Sequence, residues 1–363
     1  MRNKTFPAFL NISVAAALLL LPAGLLNAQE TPSPFLPAPV RAVSTIPANG
    51  DLNPYGVAFV PAHFPAGGTI NPGDVLVSNF NNSANLQGTG TTIITVPTNG
   101  PAGVFYQGPS GLGLSTGLAV LKEGLVVVGN FPTADGSCAT GQAGSLLVLD
   151  SSGNLLSTYA SSAIDGPWDL TVNEGRRGEV QIFVSNALNG TVTRLDASAS
   201  ASGLTVHKAT QIASGYLHRC DPAALVVAPT GLVFDASHDV LYVASTDDNA
   251  VFAVPGAGKA TQDGGTGRAI YRDKAHLHGP NGMALAPNGD LLAAQSDAIN
   301  SDPSQPSEIV EFTTDGHFVK QISMDPAQGS AFGLAVSTTG HTARFAAVDD
   351  GANTLVIWTV PLP

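Results

Sequence analysis

The phrase GPNGMALAPNGDLLAA, from Gly279 to Ala294, constrains this chain more than any other feature, because looser copies of it recur along the sequence. In each copy a loop delivers a glycine, a short apolar strand follows, and a turn returns the chain into a second strand. The copies are NPYGVAFV around Gly56, STGLAVLKEGLVVVGN around Gly117, GPWDLTV around Asp169, PTGLVFDASHDVLYVAS around Gly231 and AFGLAVS around Gly333. One supersecondary unit met six times predicts an all-β chain folded as a six-bladed β-propeller with four-stranded blades. Equivalent positions are separated by 61, 52, 62, 51 and 51 residues. A four-stranded blade with its turns takes about 40–50 residues, and insertions account for the rest. Seven blades is the alternative, with a degenerate unit hidden in one of the longer intervals.

The fourth copy divides into strands at residues 231–234, 240–245, 250–254 and 268–271. The sixth supplies only three, at 333–336, 343–348 and 354–360. A lone strand at 40–46 (VRAVSTI) is expected to pair with the last blade, closing the ring and removing an exposed edge. The 40 glycines and 26 prolines suit many short strands joined by tight turns.

The N-terminus reads as a secretory leader: Arg2 and Lys4, an apolar run from Val14 to Leu21, and a small-residue site ending at Ala28. The run is shorter than the roughly 20 residues a membrane span needs, and no cysteine follows it closely, so a lipid anchor is not expected. The expected division is a signal peptide at 1–28, a Pro-rich linker at 29–38 and one propeller domain at 39–363, exported to the periplasm or the medium. Removing 1–28 leaves 13 basic against 27 acidic side chains, a formal charge of −14. That balance argues against nucleic acid, whose phosphates call for Lys and Arg, and suits a soluble acidic surface, here expected of a monomer.

In a blade whose strands run A to D from the axis outward, the B–C and D–A loops share one face, called the top below. Cys138 falls in the B–C loop of the second blade and Cys220 in the D–A loop leaving the third, so both belong to the top of neighbouring blades. Export makes a Cys138–Cys220 disulfide the expected state. Such a bridge, together with long B–C loops in blades one, two and five, marks the top as the face that meets a protein, glycan or small-molecule partner.

The residues at the start of the inner strands are Tyr55, Thr116, Trp168, Thr230, Asn281 and Phe332. Three aromatics with three hydroxyl or amide groups suit stacking and hydrogen bonding to an uncharged ligand; alternatively the rings plug the tunnel as core. Asp169 stands where the other units place glycine. Other patterns carry less. GLSTG at 113–117 matches G-x-S-x-G, but a nucleophile elbow needs a strand before the serine and a helix after it, so Ser115 reads as a loop serine. His276 and His278 could join Asp297 or His218 at a transition metal. Asp247, Asp248, Asp349 and Asp350 fall in turns that favour Asp for their geometry alone.

The glycine-led inner strand followed by N-G-x-L or D-x-L-Y-V-A resembles NHL-repeat propellers over nearly the whole mature chain. The string GPNGMALAPNGDLL is also similar to one blade of the gluconolactonase-like, calcium-dependent lactonases. The second resemblance implies a divalent cation at the top of the tunnel, held by carboxylates and amides, with Asn281 matching one family asparagine. The opening acidic position corresponds to the region of Asn53 and Pro54, and the later family aspartate is replaced by Phe332.

Two function classes follow. The leading expectation is a non-enzymatic exported propeller with a ligand- or protein-binding top face. The alternative is a metal-dependent hydrolase of lactones or esters, with calcium or another divalent cation held by Asn281 and Asp169.

Overall fold

A computed structural model describes residue 1 and residues 34–37 and 42–362. The leader and most of the Pro-rich segment lie outside the described residues. Blade one consists of Leu52–Phe59, Val75–Asn81, Thr92–Val96 and Gly103–Gln107, and blade two of Leu114–Leu121, Leu125–Asn130, Ser145–Asp150 and Leu155–Tyr159. Blade three comprises Pro167–Glu174, Glu179–Asn186, Thr191–Ser200 and Gly203–Ser214, and blade four Pro229–Asp235, Val240–Ser245, Ala250–Pro255 and Arg268–Tyr271. Blade five runs through Pro280–Leu285, Leu291–Gln295, Glu308–Phe312 and Phe318–Ser323. Blade six takes Ala331–Thr339, Thr342–Asp349 and Thr354–Pro361 from the C-terminal end and Ala42–Ser44 from the N-terminal end. All six sheets are four-stranded and antiparallel, which decides for six blades over seven.

The ring closes as the sequence predicts. Ala42–Ser44 lies antiparallel to the last strand, with Ala42 opposite Val356 and Ser44 opposite Thr354, so the last blade receives its fourth strand and the edge of Thr354–Pro361 is covered there. Middle strands of the blades are apolar on both faces: Val75–Asn81 and Leu125–Asn130 are buried throughout. Adjacent blades pack face to face there, and so the sequence alternates poorly.

Each of the six inner strands breaks register with its neighbour near its start, as between Pro54 and Gly56, Pro167 and Leu170, or Pro280 and Met283. A bulge bends the strand and re-aims the extra residue. Here the six bulges coincide with the six rim positions read from the sequence. At three of the rim positions the following glycine is required by close approach: a Cβ on Gly231, Gly282 or Gly333 would sit 1.9–2.1 Å from the carbonyl oxygen of Asn281, Phe332 or Tyr55 in the next blade.

Candidate functional site

The rim residues are brought together at the axis and buried. Tyr55 stacks on Phe332 with ring centroids 4.3 Å apart and on Phe80 at 4.6 Å, while Trp168 meets Tyr55 edge-on at 5.8 Å. Phe80 from the second strand of blade one and Phe131, just past the second strand of blade two, add edge contacts to Trp168. Such pairs add about 0.5–1.5 kcal/mol each beyond the area they bury. Thr230 is buried as well, its hydroxyl within reach of Thr246 Oγ1 at 3.1 Å and the Pro280 carbonyl at 3.2 Å. Thr116 Oγ1, Trp168 Nε1 and Asn281 Oδ1 are buried with no protein hydrogen-bond partner. Ser115 is a buried residue of the inner strand Leu114–Leu121 and not a loop residue, because the bulge draws the chain into the ladder before Thr116. No helix follows it.

Over these rings lies a two-stranded hairpin, Arg219–Asp221 with Leu225–Val227, whose Leu225 and Val226 pack into the same apolar cluster. Cys220 on this hairpin is bonded to Cys138, with Cα atoms 5.6 Å apart. Gln87 adds a second tie, donating from Nε2 to Ala223 O at 2.7 Å. The disulfide, its two loops and the long loops of blades one, two and five fall where the sequence placed them. Leu86 and Leu217 stand exposed on this face, at 40% and 54% of their full area.

Below the rings the inner strands enclose a channel of about 420 Å³, reaching from Thr116 and Asp169 to the strand ends at Pro61, Leu285 and Ser337. Its wall is mostly apolar. Asp169 is 9% exposed and replaces the glycine of the repeat. Instead of clearing space for the neighbouring backbone, its carboxylate binds it: Oδ2 accepts from Leu232 N in blade four and Oδ1 from its own next residue, Leu170 N, each at 2.8 Å. Burial outweighs these two bonds and pushes the carboxyl up to about 7. Asp169 lines the channel and Asn281 does not.

A polar group caps the seam between blades six and one. With its amide turned to satisfy its neighbours, Asn53 donates to Asp350 Oδ2 at 3.0 Å and accepts from Asn81 Nδ2 at 2.9 Å. Burial and the adjacent Asp349 charge push Asp350 up to about 7. Asp350 thus supplies a carboxylate beside the position where the lactonase resemblance expects an acidic residue. Sequence comparison alone does not find it, since it comes from a turn of another blade.

The two histidines of the HLH string part company. His276 Nδ1 pairs with Asp273, and its ring stacks on Phe318 at 3.8 Å. His278 is buried, with its Nδ1 2.6 Å from the carbonyl oxygen of Asn300. His218 is elsewhere, its Nδ1 3.1 Å from Tyr216 O. On the bottom face Ser237 Oγ and His238 Nδ1 both meet Asp235 at 2.6 Å, but the same ring nitrogen also faces the serine at 3.0 Å. One nitrogen cannot relay between the two, so this is a turn and not a nucleophile triad. Among the described residues no three His, Cys, Asp or Glu side chains are gathered at ligating distance as they stand.

These features define the chain as a six-bladed propeller with a filled axial mouth. No family model matches it, and no curated protein does. Among solved structures it is similar to regucalcin, a calcium-binding protein from Agrobacterium tumefaciens strain C58, at 14% identity and a TM-score of 0.53 over 90% of this chain and 96% of that one. It is also similar to a proposed oxidoreductase (glucose dehydrogenase) from Thermus thermophilus, at 12% identity and a TM-score of 0.51 over 88% of this chain and 99% of that one. At such identities the likeness is one of fold. No helix among the described residues is long and apolar enough to cross a membrane.

Proposed function

We propose that this chain is an exported, NHL-like propeller that binds a protein, glycan or small-molecule partner on its top face. The observation that carries the reading is the filling of the axial mouth. Tyr55, Trp168 and Phe332 pack against one another where a lactonase of this fold would hold its cation, and a disulfide-tied hairpin lies over them. Stacked rings fill the mouth above the channel, whereas the braced loops around it offer a surface with Leu86 and Leu217 exposed.

One observation favours the hydrolase alternative. A carboxyl held near neutrality at the inner end of a channel is the kind of group that proton transfer uses. Against it, both oxygens of Asp169 already accept backbone N–H groups and Phe332 occupies the place of a family carboxylate. The test is to probe the full chain on glycan and peptide arrays and, in parallel, to assay lactones and aryl esters with added calcium or zinc. Saturable binding weakened by Leu217→Asp, with the melting temperature unchanged and no turnover, is the expected result. Metal-dependent turnover abolished by Asp169→Asn would overturn the reading.

A further inference from the structure

Ahead of the first blade, a short stretch of the chain is seated in the seam between blades five and six. Phe35 and Leu36 are 7% and 2% exposed, and both join the apolar cluster that Ile309 and Ile322 of blade five form with Phe345 and Trp358 of blade six. The Phe35 ring meets Phe345 edge-on at 6.1 Å, and Phe345 stacks on Trp358 at 5.0 Å. The main chain is held as closely as the side chains. Pro34 and Pro37 have no N–H, so residues 34–37 offer two amide donors, and one carboxylate takes both. Phe35 N donates to Glu311 Oε1 at 2.7 Å and Leu36 N to Glu311 Oε2 at 2.8 Å. Lys320 Nζ donates to the Leu36 carbonyl oxygen at 2.8 Å.

Glu311 is fully buried in the third strand of blade five and also receives Asn288 Nδ2 at 3.0 Å. A buried carboxylate is costly without such donors, so the seam calls for main-chain amides at this place. It presents a fork for two successive amides, an ammonium group for the next carbonyl and an aromatic pocket for a ring. Main-chain bonds of this kind supply affinity, and the pockets select the side chains. The flanking prolines favour the extended backbone required, since Pro37 disfavours a helical Leu36. We propose that this seam is a recognition site for an extended apolar peptide of the Pro-Phe-Leu-Pro kind, and that residues 34–37 are its tethered occupant, latching blade five to blade six. Glu311 stands one residue before its strand ends at Phe312, where the chain turns on the bottom face. The site is therefore separate from the top face and does not depend on what binds there.

The test uses the full chain carrying Phe35→Gly and Leu36→Gly, which vacates the pocket, and a fluorescently labelled synthetic peptide of residues 31–39. Saturable binding to this variant is expected, at least about tenfold tighter than to the wild-type chain, whose own segment competes at a high effective concentration. Serine in place of Phe and Leu in the peptide should weaken binding at least about tenfold. Glu311→Gln added to the variant should do the same, because glutamine turns one acceptor into a donor that faces an amide N–H. If the double variant does not fold, Phe35→Ala, which empties the ring pocket alone, takes its place. Hydrogen exchange gives a second reading on the wild-type chain: the Phe35 and Leu36 amides should be protected, and Glu311→Gln should remove that protection. A folded variant that does not bind the peptide, equal binding to variant and wild type, or unprotected amides in the wild type would each overturn the proposal.

Discussion

Replacing Asp169 by asparagine isolates the one inner-strand position where the repeat exchanges glycine for a charge. Burial lifts the carboxyl from 3.8 to about 7, a shift of about 3 units, or about 4 kcal/mol at 1.36 kcal/mol per unit. The folded-state value is above the unfolded one. Between about pH 4 and 7 the folded protein therefore holds a proton that the unfolded chain has lost, and stability declines as pH rises through this window. Above pH 7 the penalty is complete. Asparagine does not titrate, but its amide nitrogen must face the N–H of either Leu170 or Leu232, which costs about 1–3 kcal/mol at every pH. Urea unfolding of both proteins at pH 4.5, 6 and 8, followed by tryptophan fluorescence, measures the difference. The other carboxyls raised by burial, Glu174, Asp290, Asp297, Glu308, Asp349 and Asp350, titrate in both proteins and cancel. Wild type should lead the variant clearly at pH 4.5, and the lead should shrink by about 3 kcal/mol at pH 8. A lead that does not change with pH would refute the reasoning, since the two backbone amides would then be holding the carboxylate charged against burial.

Gly333→Ala should destabilise the ring by more than about 2 kcal/mol, since its Cβ would sit 2.0 Å from Tyr55 O. Gly103→Ala, with nothing within 4 Å, should stay within about 0.5 kcal/mol in the same denaturant titration. Trp168→Ala should cost about 3–5 kcal/mol in urea by emptying the centre of the ring stack; a near-neutral result would mean that the rings line an open pocket. Replacing Cys138 and Cys220 together by serine removes a link across 82 residues, worth up to about 4–5 kcal/mol in the chain-entropy view. A lower melting temperature in calorimetry, with the β-sheet circular dichroism retained, is the expected outcome.

The architecture was readable because a repeat averages out local ambiguity. No single run such as VVVGN or LLAAQ distinguishes a buried strand from a short helix, but six copies with the same glycine and turn do. Closure by Ala42–Ser44 was readable for the opposite reason, from a blade one strand short. The disulfide followed from the loop order of the blades. What the sequence hid lies in contacts between blades. The bulges at the rim leave no mark in composition, yet they decide that Tyr55, Trp168 and Phe332 turn inward onto each other. Asp350 likewise meets Asn53 only because blade six folds against blade one, nearly 300 residues apart in the chain.

The same geometry shows what joins the blades at the axis of this propeller. A cation in the mouth of a ring holds inner strands together by serving oxygens from several blades at once. Here apolar area replaces coordination: Phe332 stacks on Tyr55, Tyr55 on Phe80, and Trp168 abuts both Tyr55 and Phe80. Thr116 Oγ1 and Asn281 Oδ1 lie buried at this mouth without a protein partner. Asp169 performs a related task with a charge, since its carboxylate joins blade three to blade four through the Leu232 amide. The stacked rings and the Asp169 carboxylate thus each supply an inter-blade contact at the axis, one through apolar area and one through a hydrogen bond.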